Sequence, residues 1–83
     1  MAVIYKYPVP FGALTTVRNG NVVHFGKDGN GTMCVWVHHN DNDQTTTSFY
    51  VVGTGVRFSE DVIVHSSFVD ENGFVWHLLE DWS

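Results

Sequence analysis

The chain has 83 residues, 43% of them hydrophobic and 14% aromatic, and carries a net charge of −5. That is one domain with ample material for a core, which excludes an intrinsically disordered chain. Its four cations, Lys6, Arg18, Lys27 and Arg57, are scattered singly among nine acids, which disfavours general DNA or RNA binding because the phosphate backbone calls for clustered positive charge.

Read in chain order, the pattern is β throughout. Residues 2–7 open it with apolar and β-branched side chains, and Pro8-Val9-Pro10 ends that strand because proline cannot donate to a ladder. Residues 14–18 are weakly patterned and expected at a sheet edge. Asn19-Gly20-Asn21 reads as the positive-φ turn of a tight hairpin into residues 22–26. Lys27-Asp28-Gly29-Asn30-Gly31 reads as a longer hairpin connection into residues 32–38. In that strand Met33, Val35 and Val37 point one way and Cys34 and Trp36 the other. Both of its faces are apolar, so burial on both sides is expected.

The polar run 39–45 reads as the longest exposed loop, followed by a strand at 46–52. Ser59-Glu60-Asp61 fits a single helical turn with Ser59 as its cap. Strands at 62–69 and 74–79 follow, joined by Asp70-Glu71-Asn72-Gly73. These three turn segments are expected to link consecutive strands into antiparallel pairs, with Trp36 and Trp76 in the core. No internal repeat and no linker is read. The fold expected is all-β, a single small antiparallel sandwich or open barrel of about six to seven strands.

The residues that could carry chemistry point away from catalysis. Cys34, the only cysteine, lies among apolar neighbours and reads as a buried, inert thiol. His38 and His39 with Asp41 and Asp43 form the one compact cluster of metal-type ligands. Successive strand residues point to opposite faces, so the two histidines do not chelate together. A calcium loop starting at Asp41 would need an acid where Val52 stands. His65 and His77 read as two histidines on a half-exposed strand face, or as a facing pair if the last two strands form a hairpin. No nucleophile elbow and no cleft-facing carboxylate pair is present, so no enzyme activity, metal or cofactor is expected.

Two binding sets remain. Gly53, Thr54 and Gly55 form a glycine-rich turn whose amides, with Arg57, suit a phosphate-bearing ligand. Trp82, Tyr5 and Tyr7, beside Glu80 and Asp81, suit a protein partner, since Trp and Tyr are enriched at interface hot spots. The first residues show no charged region before a long apolar run, and no stretch has the length of a membrane span. A cytoplasmic protein is expected.

Four motifs run in order over nearly the whole chain: Ile4-Tyr5-Lys6-Tyr7-Pro8-Val9-Pro10-Phe11, Cys34-Val35-Trp36, Val52-Gly53-Thr54-Gly55 and Phe74-Val75-Trp76-His77-Leu78. In this the chain resembles a family of small uncharacterised proteins encoded by bacteriophages and prophages. It departs from the family pattern in residues 40–45, which are Asn- and Thr-rich where the family carries prolines and more charge. The resemblance implies an accessory phage protein acting in the host cytoplasm, and it implies no activity. The function expected is non-enzymatic binding, and inhibition, of a host defence or regulatory protein. One alternative is an oligomeric sponge that sequesters a small phosphorylated signal at Gly53, Thr54, Gly55 and Arg57. Another is a minor virion component.

Overall fold

Alternating apolar residues separated by glycine-bearing turns produce seven strands and no helix among the described residues: β1 (Ala2–Pro8), β2 (Thr15–Arg18), β3 (Asn21–Lys27), β4 (Met33–Asn40), β5 (Thr46–Gly53), β6 (Val62–Val69) and β7 (Val75–Asp81). The computed structural model describes residues 1–40, 42 and 44–81. Two antiparallel sheets result, one in the order β1-β4-β3 and one in the order β2-β5-β7-β6. They form a sandwich rather than a closed barrel.

The core between the sheets draws Phe25, Val35 and Val37 from the three-stranded sheet and Val17, Phe49, Val51 and Leu78 from the four-stranded one. Val9 joins them from outside any strand, held at the end of the sandwich by its N–H to the Met33 carbonyl (2.9 Å). Along one side, edge strands β3 and β6 approach each other, and Phe25 meets Phe68 edge to face at 5.0 Å. Both edges carry a register shift, between Val22 and His24 and between Val64 and Ser66. Such bulges twist an edge strand and blunt its pairing with other chains.

The hairpins β3-β4 and β6-β7 are closed by one device used twice. Asp28 Oδ1 accepts from the amides of Asn30 and Thr32, and Asp70 Oδ1 from those of Asn72 and Phe74. Gly31 (φ +80) and Gly73 (φ +84) supply the left-handed residue that each loop needs. The second carboxylate oxygen fixes the neighbouring strand: Asp28 Oδ2 holds Lys6 Nζ at 2.9 Å, and Asp70 Oδ2 accepts from the Trp76 indole at 3.0 Å. The spacing Asp-x-Asn-Gly recurs in both loops, a local repetition that no whole-chain repeat announces.

Several expectations are corrected. Asn19-Gly20-Asn21 does not close a hairpin, because β2 pairs with β5 and β3 with β4, so this turn crosses between the sheets. Gly20 has no positive φ; it is required because a Cβ there would collide with the His38 carbonyl and lie 2.9 Å from Val37 Cγ1. Residues 59–61 form no helical turn, and Ser59 Oγ accepts from the Asp61 amide two residues on instead. The exposed loop starts later than 39, since β4 runs to Asn40 and His39 is fully buried. Trp36 stands on the outer face of its sheet against His24, at 4.9 Å, whereas Trp76 packs on the core.

Candidate partner-binding surface

Strand alternation gives each sheet an outer face, and on the four-stranded sheet part of that face is apolar. Leu79 follows core residue Leu78 and therefore points the opposite way, yet it has no exposure. It lies between Tyr50 and Val64 in the register of β5, β7 and β6. The β5–β6 connection folds back on this face, and its Val56 and Phe58 share a pocket of about 180 Å³ with Val64, His77 and the turn Gly53-Thr54-Gly55. Gly55 takes φ +93, which turns the chain back over the sheet.

Beside this pocket lies a larger cleft of about 400 Å³. One wall is the β1–β2 connection, where Gly12 (φ +81) turns the chain and Phe11 bridges to Val51 of β5. The Phe11 ring packs against Trp76 at 5.3 Å. Leu14, Tyr50, Val52, Val56 and Arg57 complete the lining, so Val56 borders both cavities. Phe11, Leu14, Val56, Phe58 and Val64 are each between 45% and 56% exposed. Arg57 makes no hydrogen bond or ion pair among the described residues, while Lys6 and Lys27 are held by Asp28 and Glu71.

The titratable side chains are mostly committed. His39 Nδ1 lies 3.0 Å from the Asn19 carbonyl, which only accepts, so Nδ1 carries the proton and Nε2 accepts from the Tyr7 hydroxyl at 2.7 Å. His77 has Ser67 Oγ at 2.6 Å on Nδ1 and Thr54 Oγ1 at 2.9 Å on Nε2, so both ring nitrogens are engaged. His65 Nε2 meets Glu80 Oε1 at 2.5 Å. The bulge at Val64/Ser66 puts His65 beside Glu80 and Phe49, while His77 sits opposite Ser67. The two histidines therefore do not face each other. Burial is the main cause that pushes the Cys34 thiol pKa up, and the nearby Asp28 carboxylate adds to it.

A family model described as Domain of unknown function (DUF7352) matches residues 1–83. The chain belongs to that family. No curated protein and no solved structure matches it. Both cavities thus lie inside the DUF7352 domain.

The residues singled out from sequence fall in separate places. Gly53, Thr54 and Gly55 line the smaller pocket and Arg57 the cleft, so the four do not converge on one cavity. Tyr5 is 54% exposed, with its ring 6.4 Å from that of Tyr7, whose hydroxyl is turned onto His39. Both belong to β1, whereas Glu80 and Asp81 end β7 on the other sheet. Trp82, together with Asp41 and Asp43, lies outside the described residues. Sequence reasoning missed Phe11, Leu14, Val56 and Phe58 as surface. All four lie in connections rather than strands; for Phe11, Val56 and Phe58 that placement was the available signal, because connections run over the surface, whereas Leu14 was read as the first residue of a strand.

Proposed function

We propose that this protein is a non-enzymatic binding module that docks a protein partner on the apolar collar around the two cavities. One observation carries the reading: among the described residues, five of the twelve large apolar side chains that stand exposed border these two adjoining cavities. Soluble monomers rarely expose contiguous apolar surface without a use for it, and aromatic residues with arginine are the usual anchors of interfaces. The commitment of His39, His65 and His77 to fixed partners supports binding over catalysis. In the setting implied by the phage resemblance, the partner is a host defence or regulatory protein held inactive in the host cytoplasm. A sponge for a phosphorylated signal draws less support, since Gly53-Thr54-Gly55 and Arg57 open into different cavities.

The test is affinity capture from host lysate with the wild type and with Phe11→Asp, followed by binding measurements on the captured protein. Phe11 lies outside the core cluster, so the variant is expected to fold and to lose at least about tenfold in affinity, as truncated anchors do. A partner held equally by both proteins would remove the collar from the account. Recovery of a small phosphorylated molecule in place of a protein would favour the sponge.

A further inference from the structure

The cleft beside Phe11 combines features that restrict what can fill it. Its walls are apolar, from Phe11, Leu14, Val52 and Val56, and no acid among the described residues lines it. Arg57 is the only cation on its lining, and this guanidinium has no carboxylate partner among the described residues. On a protein of net charge −5 with nine acids, a cation left unpaired beside an acid-free apolar cavity is locally complementary to a negative group.

Two backbone amides of the lining are not open to an anion. A dianionic phosphate is normally held by several convergent donors, often an amide nest at a turn. Here the Ala13 amide is already given to the Pro10 carbonyl at 3.4 Å and the Val56 amide to the Gly53 carbonyl at 3.2 Å. A lone guanidinium presents a planar fork that matches one carboxylate through two parallel hydrogen bonds. The remaining volume, bounded by aliphatic and aromatic carbon, takes an apolar side chain.

We propose that the cleft binds a carboxylate attached to an apolar group: an acidic residue of the partner protein, held by Arg57, next to an aliphatic or aromatic side chain that enters between Phe11, Leu14 and Val56. This rests on the partner-docking reading and names the chemistry of the docked segment. Apolar burial anchors the segment, and Arg57 selects among segments. An exposed charge pair adds modestly to affinity, so its role is mainly discrimination between carboxylate and neutral sequences.

Phenylbutyrate and its neutral amide, phenylbutyramide, test this by titration into the full chain while amide chemical shifts are followed by NMR. The acid is expected to shift residues around the cleft, those near Phe11, Leu14, Val52 and Arg57, and to bind about threefold tighter than the amide, as an exposed charge pair allows. R57Q keeps the length and a polar tip without the charge; it should bind acid and amide alike while its spectrum stays folded. Equal binding of acid and amide by the wild type, shifts away from the cleft, or no shifts at all would overturn the proposal. An acid preference that survives in R57Q would overturn it too. Because capture of a partner depends on Phe11 and the acid preference on Arg57, failure here leaves the docking reading standing, whereas loss of the Phe11 dependence removes both.

Discussion

His39 illustrates how one side chain is decided by its partners. The Asn19 carbonyl sets its tautomer, the Tyr7 hydroxyl takes up its other nitrogen, and the rings of Tyr5 and Tyr7 pack on it at 5.9 Å and 5.6 Å. It is fully buried with both polar atoms satisfied, so it behaves as a core residue that ties β4 to the end of β2. Tyr7→Phe leaves the shape almost intact but strands Nε2 without a donor. Equilibrium urea unfolding should show a loss of about 1–3 kcal/mol, the cost of an unsatisfied buried polar group. Little in the sequence around residue 39 announces this. His38-His39-Asn40 followed by Asp and Gln is locally a polar run, and it is Tyr5, Tyr7 and Asn19, twenty or more residues earlier, that give the imidazole its place.

At the scale of elements, the paired hairpins tie stability to pH. Asp28 accepts from Lys6, its largest influence, and from two backbone amides, which together hold its carboxyl down at about 2 from an ordinary 3.8. Asp70 is lowered chiefly by the Trp76 indole, and Glu71 chiefly by Lys27. A carboxyl whose folded value lies below its unfolded one contributes its full stability above the unfolded value and loses it as pH falls through the folded one. Thermal unfolding midpoints should therefore hold steady from neutral pH to about 4 and fall steeply toward 2. Asp28→Asn should lower the neutral midpoint and flatten that acid limb, and an unchanged acid limb would remove Asp28 from the account. The Lys27–Glu71 bridge that joins the two hairpin tips at 2.8 Å is solvent-exposed on the Glu71 side, and pairs of that kind contribute little. Both loops were legible as turns because Asp, Asn and Gly act through their own backbone neighbours. The turn at 19–21 carries the same residue types, but its partners are on distant strands, so its hairpin reading failed.

Over the whole molecule, the residues that hold the sandwich and those that form the collar are largely separate. Val9 closes one end of the core with no exposure, although it stands between two prolines and outside any strand. Val9→Ala should cost about 2 kcal/mol in unfolding free energy, since a buried aliphatic truncation loses transfer energy and leaves a cavity. Arg57 is exposed and has no ion-pair partner among the described residues, so Arg57→Gln should stay within about 0.5 kcal/mol of the wild type. That separation makes partner loss in collar variants interpretable, because a binding defect need not report a folding defect. The collar exists because two connections, 9–14 and 54–61, return to the same end of the four-stranded sheet. The first brings Phe11 and Leu14, the second Val56, Arg57 and Phe58.

The amino-acid sequence by itself determined the seven strands, the edge place of β2 and the buried thiol of Cys34, because alternation and turn chemistry act over a few neighbouring residues. The tertiary structure alone decided which sheet each strand joins, why Gly20 must be glycine, the burial of His39, and the opposite settings of His65 and His77. It also decided that Arg57 faces an apolar cleft rather than the glycine turn beside it. Each of these depends on groups far apart in the chain that meet only when the two sheets pack, and strand periodicity carries no information about such meetings.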